Sequence, residues 1–423
     1  MLHKLLFEGR ININRRAYAW NLVSSITFSI QSALFLLIIT RLGGEKEAGS
    51  FIILFTVAQT LNAVGNYNIR DFQVSDIHEE YRFSSYYTTR ILTCVLMALL
   101  AVAYCLWKGL SGARTATLMS LVGYRFIECV EDVYHGDVHR TGRFDVTSIC
   151  MSLRIIVSSL AFCIAYFFFK NQVIASLLMV SVSGLVFLVT SSVIKREYKS
   201  LRPSCDFGQV KNLLIFCFPL FVGTFLYSYL INAPKYAIDD LLSADVQTIY
   251  NILFMPVFVV NILSTFIYKP LIVRMSELWD RREISTFIKE MAKQISIVLC
   301  LTVVIIIGGY IIGLRLLELM YGVQIMQFRP TFLMLLGFGG FAAVAFYLNT
   351  MITVIRKQFF ILVGYGSALL IHFLVTNRLV RSYELRGAAL SYGIIVSFLM
   401  LFYFAVIIIQ CGIACKDKRG QDT

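Results

Sequence analysis

Long apolar stretches separated by short polar segments run along the whole sequence. A helix needs about 20 mostly apolar residues to cross the hydrocarbon core of a bilayer, and twelve stretches are suited to this. Apolar and polar positions do not alternate within them, as they would in the strands of a membrane barrel. The stretches are 17–40, 48–69, 91–107, 115–134, 146–169, 173–194, 212–232, 248–268, 294–313, 331–355, 358–377 and 387–411. The pattern therefore predicts an all-α, multi-pass membrane protein with twelve transmembrane helices.

The basic residues of the short polar segments predict the orientation of these helices. The N-terminal segment, the even-numbered loops and the C-terminal tail together hold 25 of the 38 Lys and Arg residues, whereas the odd-numbered loops hold 11. Lys and Arg are enriched in the cytoplasmic loops of membrane proteins. Both termini are therefore expected in the cytoplasm, with the first apolar stretch retained as a span rather than cleaved as a signal peptide.

A polar segment near the middle of the chain divides the spans into two sets of six. Residues 195–211 contain charge, a proline and few apolar residues, which is typical of a linker. We therefore expect an N-terminal six-helix lobe over 1–194 and a C-terminal six-helix lobe over 212–423. Two such halves suggest a parallel repeat around a central cavity, as in many transporters.

Composition narrows the possible functions. Apolar residues make up 58% of the chain and charged residues 15%, and the mean hydropathy is +0.74. A disordered chain would be poor in apolar residues, and a nucleic-acid partner would require a basic, water-soluble face that this chain lacks. The 10 cysteines are scattered and show no metal-ligand spacing. No enzyme motif, cofactor or metal site is expected.

Uncharged polar residues form stripes on the first two spans. Two neighbouring stripes would line a shared hydrated lumen, although hydrogen bonds between helices are the alternative. The first stripe includes Asn21, Ser24, Ser25 and Gln31, and the second comprises Gln59, Asn62 and Asn66.

Charged residues inside the fourth and fifth spans are the sharpest signal, because ionisable groups at membrane depth are costly and often functional. Arg125, Glu128 and Asp132 follow each other at helical spacing, and Arg154 falls at a similar depth in the next span. Two guanidiniums and the Glu128 carboxylate would leave one positive charge, which a diphosphate would neutralise. Two alternatives remain open: an internal Arg–Glu network that only holds the spans together, or a shifted fourth span whose acids lie in water.

Two aspartates are candidates for binding a coupling ion. Asp132 lies within the fourth span and Asp239 at the end of the seventh. For Asp239, pairing with Lys235 or full solvation at the helix end are the alternatives.

Several stretches resemble those of bacterial polysaccharide flippases, the O-antigen and capsular repeat-unit transporters of the multidrug/oligosaccharidyl-lipid/polysaccharide exporter superfamily. They are ITRLGGEKEAGSF (39–51), GNYNIRDFQVSDIHEEYRFSSYYTTR (65–90), YRFIECVEDVYHGDVHRTGRFD (124–145), KYAIDDLLSADVQTIYNILFMP (235–256) and LELMYG (317–322). The resemblance covers nearly the whole chain and is stronger in its first half.

The resemblance implies a transporter that carries undecaprenyl-diphosphate-linked oligosaccharide repeat units across the bacterial inner membrane by alternating access. It makes Arg41, Arg70 and the Arg125/Arg154 pair candidates for diphosphate contact. It also implies that the lipid bilayer and membrane proteins of glycan assembly are partners. The Arg70–Asp76 segment matches a recurrent family stretch, with a role in gating or folding.

Two other functions remain possible on the sequence. A multidrug exporter of the same fold is the first, although buried arginines disfavour cationic substrates. A membrane glycan polymerase or ligase is the second, and the short outer loops disfavour it.

Overall fold

In a computed structural model, the chain is described over residues 2–7, 13–76, 80–198, 201, 205–268 and 271–421. Within these ranges the regular structure is helical, with no strand. The helices are α1 (Leu2–Phe7), α2 (Ile13–Gly43), α3 (Glu45–Asn66), α4 (Ile69–Ser75), α5 (Phe83–Lys108), α6 (Gly112–Arg140), α7 (Phe144–Phe169), α8 (Gln172–Glu197), α9 (Val210–Leu241), α10 (Ala244–Tyr268), α11 (Ile272–Asp280), α12 (Ile284–Gly308), α13 (Leu314–Tyr321), α14 (Arg329–Val354) and α15 (Phe359–Gln421). The all-α prediction is confirmed.

Each predicted span lies mostly on these helices, although 48–69 continues into the turn after α3 and 294–313 continues past the end of α12. Within the described ranges, ten helical stretches are long and apolar enough to cross a membrane, judged by length and composition. One of them, Phe359–Cys415, has 57 residues and contains both predicted spans 358–377 and 387–411. Helix α6 covers the predicted span 115–134 but is not among the ten, because charged side chains interrupt its apolar sequence. The side of the membrane on which the termini lie stays a prediction.

Contacts divide the chain into two compact units, Met1–Ser228 (unit 1) and Tyr229–Thr423 (unit 2). The division falls within α9, because side chains near its start, such as Leu213 and Cys217, belong to a core of unit 1. Part of the predicted linker, residues 199–200 and 202–204, lies outside the described residues. The lobe limits at 194 and 212 stay a prediction.

A sharp turn after α3 positions part of the candidate site. Tyr67 and Asn68 both adopt left-handed backbone conformations, with φ of 45° and 53°. The short helix α4 then packs against α6. Gln73 of α4 is fully buried and donates from Nε2 to the carbonyl oxygen of Val133 at 3.1 Å. The turn therefore brings the polar residues of α4 onto the charged middle of α6.

The long helix α15 is broken between the last two predicted spans. Glu384 has φ 48° and ψ −124°, values that are not helical. Three residues later, a Cβ atom added to Gly387 would overlap the carbonyl oxygen of Leu379. The chain can make this break only because residue 387 has no side chain.

We therefore expect Gly387→Ala to lower the free energy of unfolding by about 1–3 kcal/mol, the usual cost of forcing extra volume into a packed position. The measurement is reversible unfolding of the purified protein in mixed micelles. Gly366→Ala is the control, because a Cβ at that position meets nothing within 4 Å. Equal stability of the two variants would contradict the close approach at Gly387.

Candidate functional site

The charged residues of α6 form ion pairs with arginines from three other helices of unit 1. We name the set the arginine–carboxylate cluster. It consists of Glu128, Glu131, Asp132 and Arg125 on α6, Arg70 on α4, Arg90 on α5 and Arg154 on α7. Four guanidiniums and three carboxylates therefore lie together in one part of unit 1.

Arg125 and Arg154, the arginine pair predicted inside the fourth and fifth spans, each have their own carboxylate. Arg125 Nη1 lies 2.6 Å from Glu128, whereas Arg154 Nε lies 2.5 Å from Glu131. Both arginines are buried, with 2% and 1% of their surface exposed. Within these two pairs the charges balance, because Glu131 supplies a second carboxylate beside Glu128, whereas the cluster as a whole has four guanidiniums and three carboxylates. Glu131 is buried rather than solvated, and the position of the fourth span relative to the membrane stays a prediction.

Asp132 is held by two guanidiniums. Arg70 Nη1 donates to one of its oxygens at 2.8 Å and Arg90 Nη2 to the other at 2.9 Å. A cation bound to Asp132 would have to displace one of these positive groups, so the arrangement does not favour the predicted ion-coupling role. Among the described residues, no group of three or more His, Cys, Asp and Glu side chains could hold a metal ion.

Arg90 is the member of the cluster that the sequence analysis missed. Its guanidinium is fully buried and also donates to the backbone oxygens of Gly65 and Asn66 and to the side-chain oxygen of Asn66. It therefore satisfies carbonyl groups at the end of α3, which have no partner within that helix. A signal was present: Arg90, Thr93, Cys94, Met97 and Ala101 follow helical spacing and are all buried.

A cavity of about 250 Å³ opens beside the cluster, entirely within unit 1. Six of the eleven described lining residues are uncharged and polar, and the others are two phenylalanines, a methionine, an arginine and a histidine. The described lining residues are Asn21, Ser24, Ser25, Phe28, Ser29, Arg70, His135, Phe144, Thr147, Ser148 and Met151. Of the predicted substrate-binding residues, Asn21 and Arg70 lie on this wall.

His135 connects the cavity wall to the cluster. It is 3% exposed, and its Nε2 lies 3.8 Å from Glu131 Oε1. Within the described part of the chain, neither of these two atoms has a hydrogen-bond partner. Both atoms are enclosed by protein and lie opposite each other, so His135 joins the cavity wall to the cluster without presenting Nε2 to an occupant.

Other predicted stripe residues make hydrogen bonds between helices. Gln31 Nε2 donates to Tyr124 Oη and to Ser159 Oγ, each at 3.0 Å. Asn62 Oδ1 accepts from Cys129 Sγ at 3.0 Å. These side chains and that of Asn66 therefore form hydrogen bonds between helices, which was the alternative to a hydrated lumen. Asn21, Ser24 and Ser25, at the beginning of the stripe on α2, line the cavity instead.

Three further predicted site residues lie away from both the cavity wall and the arginine–carboxylate cluster. Arg41 is exposed at the end of α2, about 33 Å along α3 from the turn that leads to Arg70, at 1.5 Å per residue. Gln59 is partly buried on α3. Asp239 belongs to unit 2, one turn after Lys235, whose buried ammonium lies 5.4 Å from the Phe254 ring centre. The roles proposed for these residues stay predictions.

Asp76, at the end of the α4 segment, has a structural role. Burial alone would raise its pKa, but the backbone N–H groups of Glu80 and Tyr81 and the hydroxyl of Tyr86 donate to its carboxylate, and Arg140 lies nearby. Together they hold the pKa of Asp76 below its usual range. This stabilisation is present above the unfolded pKa and is lost as the pH falls through the folded pKa. The carboxylate therefore supports the folding role for this segment.

No protein-family model matches the sequence. The chain is 22% identical over 395 residues to the capsular polysaccharide biosynthesis protein CapF of Staphylococcus aureus, a match that covers 90% of this chain and 96% of that protein. This identity is too low to assign the chain to a family.

Solved structures similar to the chain are transporters. A multidrug resistance MATE family transporter of the MOP superfamily, in its inward-facing conformation, matches with a TM-score of 0.64 and 11% identity, over 94% of this chain and 99% of that one. The Vibrio cholerae MATE transporter VcmN in its bent form matches with a TM-score of 0.60 and 11% identity, over 96% and 98%. The protein is therefore an all-α, multi-pass chain with the two-lobed MATE-type fold.

Proposed function

We propose that this protein is a flippase that moves undecaprenyl-diphosphate-linked oligosaccharide repeat units from the inner to the outer leaflet of the bacterial cytoplasmic membrane by alternating access. The observation that carries the proposal is the wall of the unit 1 cavity, where six uncharged polar side chains and a single arginine lie beside aromatic and other apolar surface. The name of the relative CapF, a capsular polysaccharide biosynthesis protein, supports the same cargo class.

The cargo has two parts with opposite solvent preferences. Its glycan and diphosphate cannot cross the hydrocarbon core without a high desolvation cost. Its long apolar chain, in contrast, cannot leave the hydrocarbon core for water. A transporter with a polar cavity lets the head pass through protein while the chain remains in lipid. The lipid bilayer is therefore a partner, and the membrane proteins that build and polymerise the glycan are the expected neighbours in the cell.

A multidrug exporter is the second candidate, favoured by the fold that this chain shares with multidrug MATE transporters. The charges of unit 1 argue against it. A cationic drug needs an available carboxylate, but Glu128, Glu131 and Asp132 each lie within 3 Å of an arginine. The cluster thus offers hydrogen bonds and little negative charge. No comparable observation supports a glycan polymerase or ligase. We therefore propose a transport role without catalysis.

A leaflet-resolved assay tests the proposed function. In cells that lack this protein and any redundant flippase, we expect the lipid-linked glycan to be made but to stay inaccessible to a membrane-impermeant glycan-modifying enzyme. Restoring the protein restores access. Normal access in the deleted cells would contradict the flippase proposal, and a raised sensitivity of those cells to a lipophilic cation such as tetraphenylphosphonium would favour the exporter.

A further inference from the structure

Hydroxyl side chains line the unit 1 cavity. The hydroxyls of Ser24, Ser29 and Thr147 donate their protons, at 2.8–2.9 Å, to backbone carbonyls three or four residues earlier. A hydroxyl oxygen keeps two lone pairs after donating its proton. Asn21 adds an amide, which both donates and accepts. The wall therefore suits a ligand that carries many hydroxyl groups of its own.

Two aromatic side chains complete the wall. Phe28 of α2 and Phe144 of α7 both line the cavity. Small-molecule sites combine apolar and aromatic surface with a few placed polar groups, and a sugar ring presents both, with C–H bonds on its faces and hydroxyls around its edge. The volume of about 250 Å³ is below the roughly 300–1,000 Å³ of sites for larger ligands. A single sugar ring therefore fits this space better than an oligosaccharide of several rings.

The charge of the wall does not suit a diphosphate. Among the described lining residues, Arg70 is the one with a permanent charge, and its Nη1 already donates to Asp132. Arg125 and Arg154, two of the other candidates for diphosphate contact, are buried and paired with Glu128 and Glu131. A diphosphate would therefore meet only one permanent positive charge among the described lining residues, that of Arg70, and Asp132 already partly neutralises it.

We propose that the unit 1 cavity is a saccharide subsite that binds one sugar ring of the cargo rather than its diphosphate. The proposal rests on the proposed function, since that function supplies the glycan. His135 and Arg70 are the ionisable residues among the described lining of the subsite.

Protection of an introduced thiol tests the subsite. Ser25 is exposed on the cavity wall, so the thiol of Ser25→Cys should react with a water-soluble maleimide. The native Cys205 is exposed elsewhere in unit 1 and serves as the control within the same molecule. Labelling rates of both thiols are read by mass spectrometry on the purified full-length protein in nanodiscs.

Three probes separate sugar from diphosphate. They are the lipid-linked repeat unit isolated from cells that make the glycan but lack this protein, the oligosaccharide released from it by mild acid, and inorganic diphosphate. At a probe concentration about ten times its Kd, we expect either sugar-bearing probe to slow labelling of Ser25→Cys about tenfold. Inorganic diphosphate should leave the rate unchanged, and no probe should affect Cys205.

Three results would overturn the subsite: equal protection by inorganic diphosphate, no protection by either sugar-bearing probe, or an introduced thiol that fails to react in the absence of any probe. The leaflet assay on the same variant separates this failure from that of the proposed function. Transport without protection removes the subsite and leaves the flippase, whereas absence of transport by the wild-type protein removes the flippase itself.

Discussion

Replacing Arg154 with methionine is expected to lower the free energy of unfolding by about 3–5 kcal/mol, the usual cost of removing one partner of a buried ion pair. Arg154 is buried, its Nε lies 2.5 Å from Glu131, and its guanidinium carbon lies 5.1 Å from the Tyr124 ring centre. Methionine retains much of the apolar stem but leaves the Glu131 carboxylate buried without its guanidinium partner. Reversible unfolding in mixed micelles measures the loss.

The double variant Arg154→Met with Glu131→Leu completes the test. Apolar replacement of a whole buried pair is often neutral or stabilising, so we expect the double variant to regain most of the stability lost by the single one. Arg315→Met, at an exposed position of α13, is the control and should stay within about 0.5 kcal/mol of the wild type. If Arg154→Met proves as stable as that control, the pair is not a structural element. If the stable double variant also transports normally, Arg154 has no role in binding the cargo.

Glu131, the partner of Arg154, shows what the sequence pattern could not predict. Spacing along α6 correctly places Arg125, Glu128 and Asp132 near one face, but Glu131 is about 100° around the helix from Asp132. The two acids therefore meet different neighbours: Glu131 contacts α7, while Asp132 contacts α4 and α5. Which neighbour each face meets depends on helix packing, and periodicity within one helix contains no information about it.

The helices themselves were predictable for a physical reason. In lipid each backbone polar group needs a partner within the protein, so a long apolar stretch that spans the bilayer must be a helix. The predicted span 146–169 accordingly corresponds to Phe144–Phe169, and 173–194 to Gln172–Glu197. Helix α4 was not predicted, because the turn before it is made by Tyr67 and Asn68 rather than by glycine. That turn brings Arg70 to the cavity, so the charged edge of the site was invisible to the span pattern.

Filling the unit 1 cavity is expected to stop transport without unfolding the protein. Ser29 lines the cavity, and its Oγ donates to the Ser25 carbonyl at 2.8 Å. In Ser29→Trp, the indole would occupy much of the 250 Å³. Because the site is partly open to one side, the ring has room without distorting the helices. We expect transport in the leaflet assay to fall at least about tenfold, equivalent to about 1.4 kcal/mol, with an unchanged unfolding midpoint.

Ser181→Trp is the matched control for this variant. Ser181 also lies within a helix and donates from Oγ to the carbonyl oxygen four residues earlier, at 2.9 Å, but it is exposed on α8 beside the exposed Leu177 and Leu185. An added indole there meets lipid instead of the cavity, so transport should stay at the wild-type rate. Normal transport by a folded Ser29→Trp would exclude the unit 1 cavity from the path of the cargo. An equal loss in both variants would assign the effect to the bulk of tryptophan in a membrane helix. A loss confined to Ser29→Trp would support passage of the cargo through the unit 1 cavity. The described lining of this cavity has no carboxylate, and its one arginine, Arg70, also pairs with Asp132, so the wall suits hydroxyl groups better than cations.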